Sequence, residues 1–267
     1  MLKSISIKKL YTPALAEGEG VGTAYEYYAK RLVLAPWLKT LSVKPKTILI
    51  AGLPEKYGSS LDFFLLADEL GAAVTVVDER PFALEKAKAA IAALADEGWP
   101  LQSEPTLQHV ADLATLTAEN GRYDLILCSE VLQRLAVEQR QAFVNSCCQA
   151  GTAIALFAPN ADNAAHTNIS GLSGITLNDL QTLISSAPLH TITSTVLNGH
   201  IDMPPFPPGI VRSEEQREQA TSGTFEAIAM WGLNYYARFE KWLPKSIRQR
   251  QSHIVYALFQ TANSPAR

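Results

Sequence analysis

From residue 47 the chain alternates short, nearly uninterrupted apolar runs with helical patterns, and this alternation limits the fold more than any other feature. The strand candidates are "TILIA" (47–51), "AVTVVD" (73–78), "LQHVA" (107–111), "YDLILC" (123–128) and "TAIALFAP" (152–159). Helical patterns fall between them, near 58–70, 81–95, 113–119 and 135–149. Strands apolar on both faces need cover on both faces, which a parallel sheet between two helix layers supplies. A further helix, "TLNDLQTLISSA" (176–187), opens on Thr176 with Asp179 three residues on, a capping arrangement. "HTITSTVL" (190–197) and "HIVYALFQ" (253–260) bring the strands to seven.

The predicted architecture is therefore α/β: a Rossmann-like, doubly wound, seven-stranded and mostly parallel sheet. Residues 1–45 form a helical cap, 46–198 and 251–262 the sheet domain, and 199–250 an insertion between the last two strands that lies over the substrate. The stretch "IDMPPFPPGI" in that insertion forbids a helix and favours an extended path. The net charge of −3 gives no nucleic-acid footprint, so no nucleic acid is expected as a partner. Cys128, Cys147 and Cys148 form no disulfide framework and have no metal-ligand spacing. No Cys/His/Asp cluster has metal-ligand spacing, so no metal is expected, and with no apolar leader or spanning run the expected location is the cytoplasm.

In an open parallel sheet, ligands bind beyond the carboxyl ends of the strands. After the first strand, "GLPEKYG" places Gly52, Leu53, Pro54 and Gly58 at a helix entry. After the second come Asp78 and Glu79, either of which can accept both hydroxyl hydrogens of a ribose. Asp112 and Leu113 follow the third strand, Ser129 and Glu130 the fourth, and Pro159, Asn160 and His166 the fifth.

"YDLILCSEVLQRL", "VTVVDERPFALEKAKA", "HVADLATL" and "AGTAIALFAPN" together resemble motifs of the class I S-adenosylmethionine-dependent methyltransferases, in their small-molecule, ubiquinone-biosynthesis-like group. The resemblance covers about residues 45–200. It implies S-adenosylmethionine as cofactor, ribose contact by Asp78 or Glu79, and adenine contact by Asp112. The first motif departs from the family: Ile50 replaces an acidic residue, and Pro54 and Lys56 stand at the second and third glycines unless a longer turn makes Gly58 the last. Pro54 has no N–H, which disfavours a pyrophosphate cradle and matters less for a ligand without phosphate. Glu17, Glu19 or Glu55 is left to hold the cofactor ammonium.

Tyr25 and Tyr28 in the cap are candidates to close over the methionine end, as helices do in that family. Of the five histidines, His109 and His253 fall inside strand patterns and read as structural, His190 reads as a strand start, and His200 opens the insertion. His166 is the candidate general base. Phe206, Trp231, Tyr235 and Tyr236 point to an apolar or aromatic small-molecule acceptor. The basic, aromatic stretch 238–250 is a candidate for membrane-surface contact, with a solvated face as the ordinary reading. Two further readings stay open: a non-catalytic scaffold of methyltransferase-like fold, and a nicotinamide-dependent oxidoreductase.

Overall fold

The computed structural model describes residues 5–54, 59–99, 104–116, 122–171, 173–187, 192–206 and 224–261. Its strands are β1 (Thr47–Ala51), β2 (Ala73–Asp78), β3 (Thr106–His109), β4 (Tyr123–Ser129), β5 (Gly151–Pro159), β6 (Leu197–Ile201) and β7 (Ile254–Gln260). They form one sheet in the order β3-β2-β1-β4-β5-β7-β6. β7 runs antiparallel to both neighbours, and the other pairings are parallel. This is the predicted mostly parallel, seven-stranded α/β sheet.

Alternate residues of each strand feed two cores, as the two-residue period of a strand requires. Ile48, Ile50, Val74, Val76, Leu125, Leu127 and Phe157 face one side, with α1 (Ile7–Ala16), α2 (Val21–Leu38), α3 (Leu61–Leu70), α4 (Pro81–Asp96) and α8 (Thr224–Phe239). Leu49, Ala51, Val77, Ile126, Ile154 and Leu156 face the other, with α5 (Val137–Ala150) and α7 (Leu177–Ser185). Two short helices, α6 (Ala164–Ser170) and α9 (Lys245–Gln251), flank the edge where β5 ends and β7 begins.

Local chemistry sets several boundaries. Pro81 opens α4, where a missing N–H costs nothing. The Thr176 hydroxyl accepts from Asp179 N at 3.0 Å, so the predicted cap of α7 is present. Gly71, in the left-handed region at φ 63°, closes α3. At the other end of α3, Ser60 makes no cap. Glu17 caps from a distance instead, its Oε1 accepting from Leu61 N at 3.0 Å and Ser59 Oγ at 2.8 Å.

Three readings need correction. The sixth strand lies at Leu197–Ile201, not 190–197; the β-branched "TITSTV" reads as a strand, but it is residues 197–201 that pair with β7, with Gly199 opposite Tyr256. The helix read over 113–119 is a single 3-10 turn, Leu113–Thr115, and residues 117–121 lie outside the described residues. His253 is not inside a strand: it immediately precedes β7. Gly58, Glu55, Lys56 and His190 also lie outside the described residues.

Candidate active site

Strand order reverses between β1 and β4, and the segments leaving the carboxyl edge there come from every strand of the sheet. Residues 52–54 follow β1, 78–80 end β2, and 129–134 follow β4. Asn160 follows β5 and 202–206 follow β6. Because β7 runs the opposite way, His253 joins the same edge. Among the described residues, three non-glycine residues hold left-handed backbone: Ser60 (φ 51°), Glu130 (φ 56°) and Asp202 (φ 64°). All three sit at this edge, where such strain, about 1 kcal/mol or more each, marks a site the fold over-determines.

Gly52 is the turn itself. Its φ is +83°, and a Cβ there would lie 2.7 Å from Val131 Cγ2 and 2.9 Å from Leu113 Cδ1. Strain and overpacking together should destabilise Gly52→Ala by about 2–4 kcal/mol, read as a lower urea midpoint at unchanged slope.

Asp78, fully buried, binds the turn to the rest of the edge. Its Oδ2 accepts from Leu53 N at 2.7 Å and Arg134 Nη2 at 3.0 Å, and its Oδ1 from Arg80 N and Nε, both at 2.8 Å. Arg80 Nη2 also reaches the Leu53 carbonyl at 2.7 Å. Burial alone would raise this carboxyl, but the bonds from Arg80 and Leu53 N, with the Arg134 charge, hold it below the usual range. Glu79 is more open, with a side chain 27% exposed, and pairs with Arg134. Arg134, which follows β4, is thus the cation that ties this edge to β2.

The described part of the turn, residues 52–54, offers few free donors. Gly52 N donates to Val77 O at 2.9 Å, Leu53 N is spent on Asp78, and Pro54 has none. Buried carboxylate and amide acceptors, by contrast, outnumber buried donors: Asp62 Oδ1, Gln133 Oε1 and Asp202 Oδ1 have no hydrogen-bond partner, against Arg134 Nε as a donor, and Ser129 Oγ can serve either way. Asp112 is half-buried and caps the 3-10 turn through Ala114 N at 2.8 Å, while Leu113 packs beside Gly52.

A buried ionic cluster extends this edge beneath the N-terminal helices. Lys30, 1% exposed, lies 2.6 Å from Glu26 and 3.8 Å from Asp62, over the rings of Phe63 and Tyr27. Burial pulls its pKa down, and Asp62, Glu26 and Glu130 more than offset that. Burial pushes Glu17 up to about 7, Asp62 to about 6 and Glu240 to about 7. Tyr25 donates to Glu240 at 2.8 Å and Tyr28 accepts from Arg238 at 3.1 Å, so in this structure both cap tyrosines meet the C-terminal helices.

Beyond β6 and β7, His253 Nδ1 is 3.2 Å from Asp202 Oδ2, and its ring stacks on His166 at 4.2 Å. Burial lowers the His253 pKa, but Asp202, Glu26 and Glu240 more than compensate, and the result is raised. A cavity of about 400 Å³ opens beside it, lined by Met203, Phe206, Tyr236 and Ile247 among others. Sequence reasoning missed Asp202 and Lys30. The i,i+4 spacing of Glu26 and Lys30 was a readable signal; Asp202 offered none.

No protein-family model and no curated protein matches the chain. Solved structures do. The methyltransferase domain of bacterial CtHen1-CN superposes with a TM-score of 0.51 at 17% identity, over 86% of this chain and 97% of that one. The small RNA methyltransferase HEN1 gives 0.54 at 13% identity, over 88% of this chain and 25% of that one. A chain from the conversion of a disulfide bond into a thioacetal group during echinomycin biosynthesis gives 0.51 at 13% identity, over 86% and 82%. With an RNA methyltransferase among these likenesses, the exclusion of nucleic acid drawn from net charge finds no support. On sheet order and superposition alike, the chain has the fold of the class I S-adenosylmethionine-dependent methyltransferases.

Proposed function

We propose that the protein transfers the methyl group of S-adenosylmethionine to a small organic acceptor. The observation that carries this reading is the excess of unpartnered buried acceptors at the carboxyl edge, on Asp62, Gln133 and Asp202, over the donor Arg134 Nε. Such an edge suits a ligand bearing an ammonium and a sulfonium. It does not suit a pyrophosphate, which needs backbone donors that residues 52–54 lack. This favours methyl transfer over nicotinamide-dependent hydride transfer.

When bound, the cofactor supplies an electrophilic methyl group on a cationic sulfur. The chain's part is to hold and orient. Glu79 is the better ribose acceptor, because Asp78 is already filled by Arg80, Arg134 and Leu53. Asp112 and Leu113 bound the adenine position, and Ser129 and Glu130 the path to the methionine end, with Gly52, Leu53 and Pro54 as its floor. Tyr25 and Tyr28 hold the cap helix over that end through α8 and Glu240. The acceptor occupies the cavity beside Met203 and Phe206. His253, oriented through Nδ1 by Asp202, takes the acceptor proton on Nε2, and His166 supports the ring by stacking. A cavity of about 400 Å³ is of the size that small-molecule ligands occupy.

Titration calorimetry with S-adenosylhomocysteine tests the reading. Saturable binding is expected, weakened about 10–100-fold by Glu79→Ala through loss of charged hydrogen bonds. A stable protein that takes up no cofactor to millimolar concentration is a scaffold, and one that binds NADH instead is an oxidoreductase; either result ends the proposal.

A further inference from the structure

Helix α8 has two contrasting sides. Met230, Leu233 and Ala237 are buried, as is Glu240 just beyond it. On the other side Trp231 is 70% exposed, Tyr235 50% and Phe239 53%, and Trp242 follows at 72%. Positions i, i+4 and i+8 fall in one stripe along a helix. The rings pair edge to face, Trp231 on Tyr235 at 5.1 Å and Phe239 on Trp242 at 5.3 Å. Contiguous exposed aromatics of this size mark a surface that something covers.

The charge around the stripe says what. Arg238, Lys241, Lys245 and Arg250 are exposed and Arg248 is half-buried. Between residues 231 and 251 the one acidic residue is Glu240, which is buried and accepts from Tyr25. A protein of net charge −3 therefore gathers five cations around one aromatic ridge. Beside it lies a cavity of about 310 Å³, apolar along Leu32, Val33, Ile201 and Tyr256, with Arg238, Lys241 and Arg248 outnumbering the one carboxyl there, Glu240, which accepts from Tyr25. His200 Nε2, buried and without a hydrogen-bond partner, also borders that cavity.

We propose that the face running from α8 through α9 docks on an anionic lipid surface. Trp231, Tyr235, Phe239 and Trp242 enter the headgroup boundary, where amphipathic rings are favoured, while Lys241, Lys245 and Arg250 meet lipid phosphates. The adjoining cavity, cationic at one part and apolar at another, fits the headgroup and upper chain of one lipid. Three points select this occupant. Two copies of the face would set five cations against five. Single-stranded RNA is held in grooves, whereas this stripe is a convex helix ridge. Among the described residues no helix is long and apolar enough to cross a membrane, so contact is with the surface.

Cosedimentation with vesicles decides the matter and needs neither cofactor nor acceptor, so it stands apart from the methyl-transfer reading. Vesicles of phosphatidylcholine with phosphatidylglycerol should bind the full chain, and phosphatidylcholine alone should not. Binding should fall with salt, and K241Q/K245Q should lower the partition coefficient about 30-fold. W231A/W242A, at exposed positions that circular dichroism can confirm leave the fold intact, should remove the tryptophan blue shift. Equal binding to neutral vesicles, no binding to either, or wild-type partition by W231A/W242A overturns the proposal. So does a dimer that W231A/W242A dissociates, or single-stranded RNA binding that the same variants abolish.

Discussion

Replacing Asp78 with alanine is expected to destabilise the fold by about 3–5 kcal/mol, the range for removing one member of a buried ionic network. The side chain of Arg134 is 8% exposed and that of Arg80 18%, so neither guanidinium can recover full hydration. Leu53 N would lose its acceptor inside the turn, a further unsatisfied buried donor. Urea unfolding gives the measurement, and a loss under 1 kcal/mol would show that Asp78 is not the pin of this edge. The pH dependence has a definite sign. Asp78 has a lowered pKa in the folded state, so its contribution is present above the unfolded value of 3.8 and is lost as pH falls through the folded one. Glu17 titrates the opposite way. Its carboxyl is raised from 4.5 to about 7, so the cost of ionising it in place grows as pH rises through that window. Asp78→Ala should therefore lose acid sensitivity below about pH 4 and keep the Glu17 dependence above it.

That Asp78 would lie at the carboxyl end of β2 was legible, because "AVTVVD" is continuous, β-branched and closed by a proline turn. The residues 47–51 and 73–78 read as strands coincide with β1 and β2. What the sequence did not carry was who meets Asp78. Arg80 is two residues away and Arg134 is 56, and no periodicity links a strand-end acid to a cation after another strand. The sixth strand shows the same limit. Its local propensity favours 190–197, whereas the long-range pairing with β7 falls on 197–201. His253 was judged by its apolar neighbours "IVYALF", which argue for a strand interior. Being one residue before the strand, and beside a residue 51 positions earlier, changes its chemistry altogether.

That position sets up the second large effect. If His253 is the base, His253→Ala should lower kcat for methyl transfer about 10²–10⁴-fold while leaving the affinity for S-adenosylhomocysteine unchanged. The site lies two strands from β4, roughly 10 Å along the hydrogen-bonding direction, the separation an acceptor must bridge. Asp202→Asn isolates the orienting role. Asn, like Asp, tolerates the left-handed backbone of position 202 better than most non-glycine residues, so the fold should survive. The imidazole must be neutral to accept a proton, and Asp202 raises its pKa against the lowering effect of burial. In the wild-type protein kcat/KM should therefore climb with pH along a limb centred above 6.5, the ordinary histidine value. In Asp202→Asn that limb should move to lower pH, because burial persists and the largest of the raising charges is gone while only Glu26 and Glu240 remain, and the plateau falls as the ring loses its orientation. A residue with a purely structural role would lower stability and leave the limb where it was. Full turnover by His253→Ala with an unmoved pH profile would reject His253 as the base and return that role to His166.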